Sequence, residues 1–329
     1  MDPAAGCTGY TNALQELSKI WEDVLGKTPE SAADDFFRAG GNPSLTIRLF
    51  DEIRVRCGRS IPPLAIYNAP TISALAHLLV GDQPAQFSNA LLLESGPARP
   101  PLFLLHGLGG HVMEFFELLG GTIWPCPVYG LQARGTDGLQ APLDRIESMA
   151  DYHFEAITRI QPEGPYFICG YSLGGLVGVE IALRLLESGR AVGSLLMIDS
   201  YPHAGFLPPM ERFRLNLQRA RHRITRAGSQ RHKELQVANE RMSGPALTIV
   251  EENARRALQA YRPRAYSGKV VFFRAQITTV FPADPRSAWQ PWIPALEIET
   301  VAGDHHSILR EDAQPLGSAL SRRLNAALP

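Results

Sequence analysis

The chain is poor in cysteine. Cys7, Cys57, Cys126 and Cys169 are its four, and they lie far apart in the sequence. No C-x-x-C pair occurs, so neither a zinc knuckle nor a redox dithiol is indicated. It also lacks an excess of either charge. With 32 Lys and Arg against 33 Asp and Glu, the formal net charge is −1, and nothing global draws the chain to nucleic acid or to an anionic membrane. No apolar run approaches the ~20 residues of a membrane-spanning helix. Residues 1–9 contain neither a basic stretch nor an apolar one, so no secretory signal is read there and a cytoplasmic protein is expected. Internal repeats and low-complexity tracts are missing. So is a complete G-x-G-x-x-G: Gly107, Gly109 and Gly110 come near it without forming a dinucleotide fingerprint.

What is present is a globular composition, 45% hydrophobic and 20% charged over 329 residues, enough for one large or two ordinary domains. Residues 11–80 read as a helix bundle. Leu14, Leu17, Trp21 and Val24, with Ile20 and Leu25 beside them, give one apolar helical stripe that Gly26 stops. After the loop Asp34-Asp35-Phe36-Phe37-Arg38-Ala39-Gly40-Gly41, a second helix opens at Asn42-Pro43-Ser44 and carries Leu45, Leu49 and Ile53 to Gly58. Pro62-Pro63 breaks the chain, and Thr71 opens a last helix with Ile72, Leu75, Leu78 and Leu79. Residues 83–98, entered through Gly81-Asp82-Gln83-Pro84 and closed by Gly96-Pro97-Ala98, read as a linker containing a short strand, Leu91-Leu92-Leu93.

From residue 99 strands and helices alternate. Leu102 to Leu105, Pro127 to Leu131, Tyr166 to Cys169, Leu195 to Ile198, Val270 to Phe273 and Leu296 to Val301 are strand candidates, and Ile146, Met149, Ile157 and Ile160 mark a helix. Alternation of this kind implies a mostly parallel sheet with helices on both faces and chemistry at the carboxyl ends of strands. Residues 203–264 interrupt it as a largely helical insertion, read as a lid. Within 211–241 nine Lys and Arg face three Glu, either a surface that attracts a phosphate-bearing arm or a solvated helical face.

Gly170-Tyr171-Ser172-Leu173-Gly174-Gly175 sits between an apolar strand and a helical pattern. This is the G-x-S-x-G nucleophile elbow, in which a tight strand-to-helix turn lifts a serine hydroxyl clear of the sheet. A serine needs a base oriented by a carboxylate. His305, in Gly303-Asp304-His305-His306, is the base candidate, with His306 as the alternative. Asp199, at the end of the strand after the elbow helix, is the acid candidate, with Asp284 as the alternative. Asp304 is expected to cap its loop, and His106 to shape the turn after its strand. The order Ser172, Asp199, His305 is that of α/β-hydrolases. The oxyanion of acyl transfer needs two N–H donors, for which Leu173 and Leu108 are the candidates.

Residues 11–80 resemble a peptidyl or acyl carrier domain, in the D-D-F-F-x-x-G-G stretch, the R-L-F of the second helix and the P-T-I-x-x-L-A of the third. The resemblance implies a phosphopantetheine arm on a serine in G-G-[DHN]-S-L. A gap-free reading puts Pro43 at that serine's position and Ser44 one residue later. Either the loop slips and Ser44 is modified, or the carrier is inactive and serves as a docking or structural unit.

Residues 99–329 resemble the type I thioesterase domain that ends nonribosomal peptide and polyketide synthases. The matching stretches are His106 to Gly110, Val128 to Gly135, Gln161 to Gly175, Ile198 to Pro202 and Gly303 to His305. That resemblance implies an α/β-hydrolase with a helical lid, preceded by an all-α carrier bundle at 1–82, in which Ser172 takes an acyl or peptidyl chain from a carrier thioester supplied by upstream synthase modules. It implies the roles of Asp199, His305 and Leu108. Hydrolysis and transfer to a nucleophile are both open as the release step. So are a trans-acting editing esterase with a vestigial carrier and a non-catalytic docking module. No metal, nucleic acid or membrane is expected as a partner.

Overall fold

The computed structural model describes residues 7–81, 88–226, 245–278 and 281–328. They fall into two compact units, one of described residues up to Ser88 and one from Asn89 onward.

In the first unit α1 (Tyr10–Leu25) buries Ala13, Leu17, Ile20, Trp21 and Val24 on one stripe. It ends at Gly26, whose φ of 72° lets its N–H turn back to the Glu22 carbonyl, a conformation that a glycine adopts at little steric cost. α2 (Pro43–Cys57) begins at an Asn42 cap and ends at Gly58 in the same left-handed conformation. α3 (Ile72–Val80) is capped by Thr71 Oγ1, which accepts from the Ala74 N–H at 3.2 Å. These helices close over Trp21, which meets Phe36 edge-on at 5.2 Å, and over the fully buried Leu49, Ile53 and Leu75. Cys7 and Cys57, which their spacing did not pair, are joined by a disulfide.

The second unit is built on a seven-stranded sheet in the order β1-β3-β2-β4-β5-β6-β7 among the described residues. Its strands are β1 (Ala90–Glu94), β2 (Leu102–Leu105), β3 (Val128–Leu131), β4 (Tyr166–Tyr171), β5 (Val192–Ile198), β6 (Val270–Ile277) and β7 (Leu296–Asp304). β1 runs antiparallel to β3 and every other pairing is parallel. The short strand read within the linker is therefore the antiparallel edge of this sheet. β2 and β4 are buried at every position, as continuous apolar runs are when helices cover both faces of a parallel sheet.

Around the sheet lie α4 (Phe116–Gly120), α5 (Ile146–Ile160), α6 (Leu173–Glu187), α7 (Pro209–Arg226), α8 (Pro245–Ala260), α9 (Arg286–Trp289) and α10 (Ala313–Ala327). α6 is buried continuously from Leu173 to Ala182, because it packs against β4 and β5 as well as α5. The insertion read as a lid over 203–264 contains α7 and α8, with irregular chain at 207–208 and 261–264; residues 227–244, with part of the Lys/Arg-rich stretch, lie outside the described residues. α8 buries Leu247, Val250, Ala254 and Ala257. No helix among the described residues is long and apolar enough to cross a membrane, and no group of their His, Cys, Asp and Glu side chains could hold a metal ion.

Candidate active site

β4 delivers the chain to Ser172 and α6 leaves from it. Ser172 is held at φ 52° and ψ −115°, a conformation that costs a non-glycine residue energy and persists only when its surroundings impose it. Those surroundings are visible. The Ser172 N–H donates to the Ile198 carbonyl at 2.9 Å, and its own carbonyl accepts from Ser200 Oγ at 2.5 Å. A Cβ on Gly170 would lie 2.2 Å from the Gly174 backbone, and one on Gly174 would lie 2.4 Å from the Leu105 carbonyl oxygen. Both positions exclude side chains because the turn folds onto its own helix and onto β2.

The chain leaves β5 at Asp199 and β7 just before His305. His305 Nδ1 and Asp199 Oδ2 are 2.8 Å apart, which fits an Nδ1–H donating to the carboxylate. Asp199 is 2% exposed. Its other oxygen accepts from the Ala275 N–H at 3.2 Å, and its φ of 43° is, with that of Ser172, one of two positive values at non-glycine residues among the described residues. The His305 ring stacks on Tyr171 at 5.1 Å and meets Phe281 edge-on at 4.7 Å. The Tyr171 hydroxyl donates to the His305 carbonyl at 2.6 Å. Tyr171, the residue before Ser172, thus ties the His305 loop to the elbow. No hydrogen bond joins Ser172 Oγ to the imidazole among the described residues, as is common where catalytic contacts tighten only around substrate.

The alternatives take other places. Asp284 is an exposed side chain that accepts from the Arg286 N–H at the start of α9. Asp304 accepts from the N–H groups of His306 and Ser307, closing the turn after β7. His306 is exposed, and the Asp199 carboxylate is bonded to its neighbour.

Leu108 lies in the loop after β2, and Leu173 opens α6, where the first N–H groups have no partner within the helix. The loop is held by Glu114, a half-buried residue that the sequence does not single out. Its Oε1 accepts from the Gly107 N–H at 2.5 Å. Burial pushes the Glu114 carboxyl up to about 8, against the smaller opposing effects of that hydrogen bond and of Arg310. His106 is buried, and its Nδ1 lies 2.7 Å from the Gly107 carbonyl oxygen, to which an Nδ1–H donates; desolvation lowers it to about 4. His153 meets it ring to ring at 5.5 Å and is held neutral mainly by burial. Beside them is a small cavity lined by His106, Arg134, Tyr152, His153 and Val250. Arg134 Nε and His153 Nδ1 are buried there without a protein partner.

In the helical unit Ser44 is exposed at the second position of α2 and Pro43 occupies the first. Asn42 Oδ1 accepts from the Leu45 N–H at 2.9 Å.

Comparison with known proteins matches the two units to two families in succession. Residues 15–79 match the phosphopantetheine attachment site family, which implies a phosphopantetheine prosthetic group, and residues 100–324 match the thioesterase domain family. The dimodular nonribosomal peptide synthase of Bacillus subtilis (strain 168) is 30% identical over 318 residues, which cover 89% of this chain and 13% of that protein. The indigoidine synthase of Streptomyces lavendulae is 35% identical over 190 residues, 57% of this chain and 15% of that protein. The chain thus spans a small part of the length of these relatives. A solved four-domain nonribosomal peptide synthetase, holo-AB3403 bound to AMP and glycine, aligns with a TM-score of 0.59 at 20% identity, covering 94% of this chain and 26% of that one. With a mostly parallel sheet, an elbow serine between β4 and α6, and a match over most of its length, the chain belongs to the thioesterase domain family of α/β-hydrolases, preceded by a carrier-type helical unit.

Proposed function

We propose that the second unit releases an acyl or peptidyl chain from a carrier-bound thioester through an acyl-enzyme on Ser172. Ser172 Oγ attacks the thioester carbonyl while His305 Nε2 takes its proton. The Nδ1–H bond to Asp199 keeps the imidazole in the tautomer that leaves Nε2 free to accept, and the carboxylate offsets the charge that the ring gains. The N–H groups of Leu108 and Leu173 donate to the carbonyl oxygen as it becomes an oxyanion. Collapse expels the thiolate, which takes the proton from His305. Water, or a nucleophile within the chain, then attacks the ester with His305 again as base, and Ser172 leaves with its proton restored.

The observation that carries this reading is the 2.8 Å contact between His305 Nδ1 and a buried Asp199, on loops that follow β7 and β5 and tied through Tyr171 to the elbow. Upstream synthase units carrying the thioester are the partners that fit it. The test is a fluorophosphonate label followed by peptide mapping, with release of a soluble pantetheine thioester measured alongside. Labelling at Ser172 and loss of both signals in Ser172→Ala are expected. Thioester turnover that survives Ser172→Ala overturns the assignment.

A further inference from the structure

The start of α2 fails the chemistry that its family match implies. An attachment position must offer a hydroxyl to form the phosphodiester. In the gap-free reading that position is Pro43, which has neither a hydroxyl nor a backbone N–H. Of the amides that a phosphate would meet at a helix start, Leu45 donates to Asn42 Oδ1 and Thr46 to the Asn42 carbonyl at 2.8 Å. Only the Ser44 N–H remains among the first four positions.

A slip of one residue could in principle bring Ser44 into place, and the structure shows what opposes it. Before the helix, the Gly41 N–H donates to the Phe36 carbonyl at 2.8 Å, and a Cβ on Gly41 would lie 2.4 Å from the Phe36 ring. Phe36 is fully buried, and its own N–H is bonded to the Pro70 carbonyl. The turn is thus fixed to the core and accepts only glycine there. After the cap, Thr46, Leu49, Phe50 and Ile53 are buried, and Arg48 Nη2 donates to the Asp23 carbonyl at 2.9 Å. Advancing the helix by one residue rotates every side chain by about 100°. That would swing Leu49 and Ile53 out of the core, break the Arg48 contact and put Pro43, which has no capping oxygen, in place of Asn42. Both ends of the segment hold the register in which Ser44 is one step too late.

We propose that Pro43 keeps the helical unit free of a phosphopantetheine arm, so that the acyl thioester reaching Ser172 is borne by a separate carrier. The inference rests on the release reading above. It identifies the supplier of the substrate as another protein or unit with an intact attachment serine. The helical unit keeps a complete core and has lost only the function of its first helical position.

The test is intact mass after incubation of the full chain with coenzyme A and a broad-specificity phosphopantetheinyl transferase, on the wild type and on Pro43→Ser. Serine is readily accepted at a first helical position, and a thermal melt confirms folding of the variant. The wild type is expected to show no mass gain, and Pro43→Ser to gain one phosphopantetheinyl group mapped to residue 43. A gain on the wild type at Ser44 overturns the proposal. A folded Pro43→Ser that stays unmodified overturns the assignment of the block to Pro43. Fluorophosphonate labelling of Ser172 in the same samples reports on the release reading separately, since it does not depend on the arm.

Discussion

Ser200 Oγ donates to the Ser172 carbonyl oxygen across 2.5 Å, joining the chain after β5 to the strained turn that carries the proposed nucleophile. The Ser200 carbonyl in turn accepts from Trp289 Nε1 at 2.8 Å, so the hydroxyl is presented by a residue anchored in the core. Ser200→Ala should leave the Ser172 carbonyl short of a buried donor and cost about 1–3 kcal/mol of stability. It should also lower kcat for a soluble thioester more than it changes KM, because it loosens the residue that must stay at φ 52°. A Cβ on Gly175 would lie 2.3 Å from this same hydroxyl. Gly175→Ala should therefore destabilise by about 1–3 kcal/mol or more through overpacking. Thermal melts and steady-state kinetics on the two variants check both statements, and an unchanged kcat in a folded Ser200→Ala would remove the hydroxyl from the turn's support.

Asp199→Asn tests the orientation of the base. Asparagine can still accept from the Ala275 N–H, so the loop is expected to hold. The amide NH2 would then face His305 Nδ1 as a donor and turn the proton to Nε2, where it blocks acceptance from Ser172. A loss in kcat on the order of 10⁴ follows by analogy with the same change in a serine protease triad, with melting little altered. A loss below tenfold would mean that another group orients the base.

Short-range features were legible in the sequence. The elbow, the two glycines that must lack side chains and the strand before it lie within a few residues of one another, and so does the Asn42 cap of α2. The choice of Asp199 over Asp284 depends on contacts made far along the chain. Both follow strands, and only the folded loops decide that one turns to His305 while the other caps α9. Glu114 carried no signal at all. It sits among Val112, Met113 and Phe115, and only the fold brings it to Gly107, where a Cβ would lie 2.9 Å from the Tyr171 ring and 3.2 Å from Glu114 Oε2. β1 was seen as a strand but assigned to the linker, since its partner β3 comes much later in sequence and pairs with it from the other side. The Cys7–Cys57 bond was hidden for the same reason, by the 50 residues between them.

Glu180, fully buried in α6, is another carboxylate that the sequence does not single out. Tyr261 donates its hydroxyl to it at 2.9 Å, Arg184 Nη1 reaches it at 2.9 Å and Arg264 Nη1 at 3.3 Å. The network ties the elbow helix to the chain that follows α8. Arg184 also holds Asp151 and Arg264 also holds Glu187, so Glu180→Ala chiefly leaves the buried Tyr261 hydroxyl without its acceptor and should cost about 1–3 kcal/mol. Tyr261→Phe should cost nearer 1 kcal/mol, the typical net value of a single hydrogen bond. Equal losses in urea titrations of the two variants would mean that the Tyr261 hydrogen bond alone carries the contribution of Glu180 and the two arginines add nothing to it.

The loop that carries Leu108 rests on groups whose protonation works in opposite directions. Burial raises Glu114 from 4.5 to about 8, so the folded protein holds a proton that the unfolded chain gives up. The stability this contributes is complete below pH 4.5 and is lost as the pH rises towards 8. His106 and His111 are lowered from 6.5 to about 4, in both cases mainly by desolvation. Their contribution is complete above pH 6.5 and is lost as the pH falls through 4. Glu114→Gln keeps a carbonyl oxygen able to accept from the Gly107 N–H and removes the titration. The variant is therefore expected to gain on the wild type in melting temperature from pH 5 to about pH 8 and to keep a constant lead above it, while the two fall together on the acid side, where the histidines govern. Scanning calorimetry at a series of pH values separates these limbs. Melting temperatures that stay parallel from pH 5 to pH 8 would mean that Glu114 is ionised in the folded protein and that the Gly107 N–H is held by a carboxylate.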